Sequence, residues 1–148
     1  MASYGTPVEP HEGIAYWAGV ATTEAWIVTT VIAPDAITTP GSYRTSAVGN
    51  ARVIQAINQH HLQLLAQVHG HPEAWVGHSA GDDTGAFMPY AGFYSIVVPI
   101  YGQRGLLPLS RCGVHRYDGD RFVQLSAGEV AGQIILVPPA MDLRTAAS

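Results

Sequence analysis

The 148 residues lie within the roughly 100–200 of one domain, and 47% hydrophobic against 12% charged side chains exclude a disordered chain, which lacks the apolar surface to offset its conformational entropy. Seven basic against eleven acidic residues leave a net charge of −4, without the basic face a phosphate backbone requires, so no nucleic-acid partner is expected. No apolar run approaches the 18 or so residues of a membrane span and the first basic residue is Arg44, so we expect no secretory leader, no membrane partner and a cytoplasmic location.

All seven basic residues are Arg. The single cysteine, Cys112, excludes an internal disulfide and any multi-cysteine metal site, and reads as a small buried hydrophobe. A metal would have to be held by carboxylates and by some of the seven histidines.

In chain order, residues 1–10 read as an arm or short first helix. Ile14 to Ala18 and the β-branched run Trp26 to Ile32 read as a hairpin joined near Thr22 and Thr23. Pro34 to Ser46, with Pro40-Gly41, reads as a loop. Ser46 can cap a long helix whose inner face steps through Ala47, Ala51, Ile54, Ile57 and His61. Leu62 to His69 reads as a buried strand, followed by a Gly-, Pro- and acid-rich connection. The pattern S-x-x-D at Ser79 and Asp82 predicts a short helix over roughly Asp82 to Met88. Phe93 to Ile100 is a dense apolar strand, and Val114–Tyr117 and Phe122–Leu125 flank the turn signal Asp118-Gly119. Ser126 and Glu129 form a second capping box, and Gln133 to Val137 reads as a final strand ended by Pro138-Pro139. The elements imply an α/β (α+β) domain on a mixed sheet. Trp17, Trp26, Tyr90, Phe93 and Tyr94 read as core or rim aromatics, and His60-His61 as the end of the long helix.

Chemistry concentrates in His69-Gly-His71-Pro72, Ser79 and Asp82, with Glu12 far upstream. Side chains of a strand alternate faces, so His69 and His71 point the same way and can present two imidazoles to one ion. Asp82 follows a loop long enough to fold back over the strand end. Two His and one carboxylate leave a fourth tetrahedral position open, the arrangement of a catalytic Zn2+. Asp83 competes with Asp82 as the ligand, and Glu24 with Glu12 as general base. Trp75 and Val76 lie between the ligands, where exposed apolar side chains would touch a substrate or partner.

H-x-H-P, then ten residues from the second His to the Asp of S-x-x-D, resembles the JAMM motif of MPN-domain zinc metalloproteases. Glu12-Gly-Ile-Ala-Tyr-Trp-Ala-Gly19 is similar to the segment that carries that family's catalytic Glu. The resemblance spans about residues 8–137. It implies a curved mixed sheet flanked by a long helix and a short motif helix, a cytidine-deaminase-like architecture. It further implies His69, His71 and Asp82 as zinc ligands, Glu12 as general acid/base, and Ser79 as hydrogen-bond donor to the tetrahedral intermediate. Gly70 and His78 depart from the commonest pattern; His78 would support a ligand or, with Trp75 and Tyr90, contact substrate.

The implied activity is cleavage after the C-terminal glycines of a ubiquitin-like protein, in a prokaryotic conjugation or maturation pathway. The alternatives are a zinc hydrolase acting on a sulfur-carrier C-terminus or a small amide, and a non-catalytic MPN scaffold. The partner expected is the modifier with its tail; the sequence leaves the oligomeric state open, a dimer included.

Overall fold

The computed structural model describes residues 9–137 of the chain; most of the N-terminal arm and the Pro138-Pro139 stop lie outside them. Strand β1 (Ile14–Ala21) pairs antiparallel with β2 (Trp26–Ile32) through a turn in which Thr22 N–H donates to the Ala25 carbonyl at 2.8 Å. The hairpin expected there is present, with β1 three residues longer than its apolar run.

Two short strands follow, β3 (Ala36–Thr39) and β4 (Ser42–Thr45), which pair only with each other. The loop read over Pro34 to Ser46 is therefore corrected to a hairpin. Pro40-Gly41 is its tip, and the β-branched and aromatic residues on either side, Ile37, Thr38, Tyr43 and Thr45, supply the strand preference.

Helix α1 (Ala47–Gln59) starts at Ser46, whose hydroxyl accepts from Gly49 N–H at 2.9 Å. Its buried stripe is Gly49 and Val53, with Ile57 half-buried; Ala51 and Ile54, expected inside, are exposed. Gly49 sets this rotation. A Cβ there would stand 2.7 Å from the Asp35 carbonyl, so the helix approaches the chain through its smallest residue.

Strand β5 (Gln63–Gly70) pairs antiparallel with β1 and parallel with β6 (Tyr94–Val98). The short helix α2 (Ala80–Gly85) lies in the crossover between them, starting two residues earlier and ending sooner than expected. Met88, placed in the helix by the sequence pattern, instead has φ +51° ahead of Pro89, which disfavours the helical region for its predecessor. β7 (Gly113–Tyr117) and β8 (Phe122–Gln124) form the expected hairpin, whose turn uses Gly119 at φ +114°. After its capping box α3 (Ala127–Gln133) makes seven residues. The final strand read over Gln133–Val137 is absent: Gln133 closes α3, and Ile135 and Val137 are 82% and 80% exposed.

The architecture is mixed α+β, with a six-stranded sheet in the order β2-β1-β5-β6-β7-β8 beside the β3–β4 ribbon. Alternation along the strands splits the apolar residues between two faces. On one, Val68, Ile96, Val98 and Val114 pack with Leu109, Cys112 and Val130 of α3. On the other, Ile14 and Tyr16 pack against Val53 of α1. The second face carries Gln67, His69 and Ser95 as well, all buried. Among the described residues no helix is long and apolar enough to cross a membrane.

Candidate metal centre

The register of β1 on β5 sets the site. Ile14 lies opposite His69, and Gly70 N–H donates to the Gly13 carbonyl at 3.0 Å, so continuing the antiparallel pairing brings Glu12 opposite His71. Beyond the ladder, Glu12 N–H donates to Thr39 O at 2.9 Å, tying the acid to the β3–β4 ribbon.

Asp82 arrives from α2 through its capping box. Ser79 Oγ accepts from Asp82 N–H at 3.1 Å, and Ser79 N–H donates to Asp82 Oδ2 at 2.7 Å. The cap of the helix is therefore also what aims the carboxylate at the strand end. Asp82 Oδ1 stands 3.2 Å from His69 Nε2, and Oδ2 stands 3.3 Å from His71 Nε2. His71 Nδ1 lies 3.2 Å from the Trp75 carbonyl, which can only accept, so Nδ1 carries a proton and Nε2 is the nitrogen that faces Asp82. His69 is fully buried, and neither of its ring nitrogens completes a hydrogen bond.

These three residues form a buried group whose ligand atoms lie within 4.8 Å of one another, and it could hold a metal ion. Two observations support the fit. Ligands about 2.0–2.1 Å from a tetrahedral ion sit about 3.3 Å apart, and the Asp82 carboxylate meets each imidazole at that range, through Oδ1 for His69 at 3.2 Å and through Oδ2 for His71 at 3.3 Å. The fully buried His69 ring completes no hydrogen bond and its Nε2 meets only the Asp82 carboxylate, a setting that a bound cation would satisfy.

Charge is distributed unevenly over the metal-free group. Burial pushes the Asp82 carboxyl upward, but the two imidazoles and Ser79 N–H outweigh it and hold the group far below the usual carboxylate range. Burial keeps His69 below its ordinary value and so neutral, as a ligand must be. For His71 burial works downward, and the Asp82 carboxylate overcomes it to raise the ring above its ordinary value. Glu12 is raised, chiefly by burial, with Asp82 adding to the rise and His71 opposing it.

Glu12, His71, Ser79 and Asp82 open onto one cleft of about 690 Å3, which Trp75 also lines. Trp75 stacks on the His71 ring at 5.3 Å and an interplanar angle of 18° and remains 54% exposed. His78 and Tyr90, named with Trp75 as substrate contacts, do not line this cleft. His78 is turned inward beneath the site, its Nε2 2.8 Å from Ser95 Oγ. Tyr90 gives its hydroxyl to the Leu64 carbonyl at 2.7 Å, at the opposite end of β5 from His69. Asp83 is not in the ligand group; its Oδ1 accepts from His78 Nδ1 at 2.8 Å. Glu24 belongs to the β1–β2 turn, with its N–H on Thr22 Oγ1 at 3.2 Å, and does not line the cleft.

The sequence pattern missed the wall supplied by β4. Tyr43 and Arg44 line the cleft, and the Tyr43 ring lies 5.4 Å from His69. Burial, reinforced by Asp82, raises the Tyr43 phenol far above its ordinary range, which keeps it protonated. The alternating Ser42-Tyr-Arg-Thr45 was the available signal, hidden by the turn residues before it.

No family model and no curated protein matches the chain. It is similar to the solution structure of protein DSY2949 from Desulfitobacterium hafniense, with a TM-score of 0.56 and 16% sequence identity, over 77% of this chain and 75% of that one. At that identity the likeness shows a shared fold and nothing about activity.

Proposed function

We propose that the chain is a JAMM/MPN-type zinc metallopeptidase that cleaves after the C-terminal glycines of a ubiquitin-like protein, deconjugating or maturing the modifier in a prokaryotic pathway. The observation that carries the reading is the convergence of three chain segments, Glu12 ahead of β1, His69 and His71 at the end of β5, and Ser79 and Asp82 at the start of α2, in the order and spacing of that family's motif, with all but the buried His69 lining one cleft. Two imidazoles and one carboxylate are a donor set suited to catalytic zinc, with a position left for water or substrate.

His69 Nε2, His71 Nε2 and Asp82 would hold the ion. When bound, zinc supplies Lewis-acid chemistry, polarising a carbonyl and acidifying water near neutral pH. The rest falls to the protein. Glu12, raised by burial, is placed to take a proton from the attacking water and deliver it to the leaving amine. Ser79 Oγ accepts from Asp82 N–H, so its own hydroxyl proton is available to donate to a developing oxyanion in the cleft. Trp75 offers an apolar shelf beside them, and an extended glycine tail can lie along the cleft wall with main-chain hydrogen bonds supplying affinity.

A second reading has one observation in its favour. Arg44 is the cation among the cleft-lining residues, and no ion pair of the described residues uses it. A guanidinium there suits a substrate carboxylate, as when a single amino acid is released from a sulfur-carrier C-terminus.

The test is to incubate zinc-loaded protein with ubiquitin-like fusions ending in Gly-Gly, joined either to a lysine side chain or to one amino acid with a free carboxylate. Cleavage by wild type and none by Glu12→Ala is the expected result. Exclusive cleavage of the free-carboxylate substrate, lost in Arg44→Ala, selects the second reading, and no cleavage of either overturns both.

A further inference from the structure

Helix α2 carries the Asp82 ligand yet has six residues, too few to be stable by itself, and Asp82 is its single buried residue. Its capping box fixes the first turn locally. Something else must hold that turn against the strand end, within the few tenths of an ångström that a metal site requires.

Directly before the cap sits His78, with a side chain only 5% exposed. Its Nδ1 lies 2.8 Å from Asp83 Oδ1 on α2, and its Nε2 lies 2.8 Å from Ser95 Oγ on β6. Ser95 Oγ in turn receives Gln67 Nε2 at 3.0 Å, from the same face of β5 as His69. The donors run in one direction: Gln67 N–H to Ser95, Ser95 O–H to His78 Nε2, and His78 Nδ1–H to the Asp83 carboxylate. Every link has a donor and an acceptor with the imidazole neutral. The ring also packs between His115, with centroids 4.3 Å apart, and Phe122, at 4.5 Å.

We propose that His78 is a positioning residue that clamps the ligand-bearing turn of α2 to the sheet, bridging Asp83 to Ser95 so that Asp82 is held over His69 and His71 before any metal arrives. This rests on the metal-centre reading above and extends it to residues with no contact to the ion. The clamp acts through the neighbour of the ligand. Losing it leaves the three ligands in place and frees the helix that carries one of them.

The experiment is metal binding to the full chain, measured for Zn2+ by competition with a chromophoric chelator and for Co2+ by visible absorption. His78→Ala is expected to raise the Zn2+ Kd by about 10–100-fold, the usual cost of losing support behind a ligand, with the Co2+ bands unchanged in energy and intensity. Asp83→Ala alters a side chain that is 51% exposed and so spares the fold; it should weaken binding in the same direction. His78→Asn, which keeps an N–H for Asp83, should recover part of the loss. Wild-type affinity in both His78→Ala and Asp83→Ala overturns the proposal, as do shifted Co2+ bands, which would make His78 or Asp83 a ligand. Should the wild type bind neither ion, the metal-centre reading itself fails, an outcome distinct from tight wild-type binding that the variants leave untouched.

Discussion

Adjacent acids, Asp82 and Asp83, have opposite fates because of where a helical turn points them. Asp82 is 7% exposed and faces two imidazoles, whereas Asp83 faces His78 and solvent. Asp82→Asn should therefore abolish stoichiometric zinc binding while Asp83→Asn retains it, as metal analysis of the purified variants would show; the reverse pattern would exchange their roles. In the proposed mechanism Glu12→Gln removes the proton carrier and keeps the shape. It should lower kcat by about 10²–10⁴ with zinc content unchanged. Ser79 is a cap and, in the proposed mechanism, also a donor, and substitution can separate the two. Ser79→Ala loses the cap, at about 1 kcal/mol of stability, and the hydroxyl as well, whereas Ser79→Gly costs only a few tenths as a cap. If the hydroxyl stabilises the oxyanion, both variants should lose about 10²–10³ in kcat. Restored turnover in Ser79→Gly would reduce Ser79 to a cap.

At the level of elements, the motif loop is seated on the sheet by a glycine. A Cβ on Gly113 of β7 would stand 1.8 Å from the Val76 carbonyl, which no side-chain rotation can relieve. Gly113→Ala should push the segment between His71 and Ser79 off the sheet, costing about 1–3 kcal/mol in urea unfolding and weakening zinc binding in the same preparation. Unchanged affinity would show that the loop is not positioned from β7. The same geometry explains how far the sequence could be read. β5, α2 and the β7–β8 hairpin were legible because their signals are local: an apolar run before His69, a capping box at Ser79, Asp118-Gly119 between strands. The rotation of α1 was not, because it is set by the approach of Gly49 to Asp35, a tertiary contact. Nor was the β3–β4 ribbon, whose turn residues dominated its two four-residue strands. Glu12, His69, His71, Ser79 and Asp82 could be picked out through their resemblance to a known motif, while Tyr43, Ser95 and Gln67 could not. The Ser95–Gln67 pair is separated by 28 positions and forms only when β5 and β6 align.

For the whole molecule, the row of buried polar groups under the cleft links stability to pH. His115, 2% exposed, is depressed to about 4, chiefly by burial, with His78 adding to the effect. The unfolded chain takes up its proton near the ordinary imidazole value of 6.5, so between these limits the unfolded state binds more protons. The contribution of His115 is therefore complete above about pH 6.5 and lost as pH falls toward 4, at roughly 3 kcal/mol across the window. His69, depressed by burial, acts with the same sign. Asp82 adds a separate, lower window: its folded carboxyl lies below the ordinary 3.8, so its stabilisation is present above that value and disappears beneath it. His71 and Glu12 are raised, bind protons more tightly in the folded state, and partly offset the acid loss above pH 4. Urea unfolding of the metal-free protein at pH 7 and pH 4.5 should show a fall in free energy that His115→Asn flattens by about 2 kcal/mol or more. Parallel falls in the two proteins would mean that the acid sensitivity resides in other groups and that the His115 ring is not held neutral.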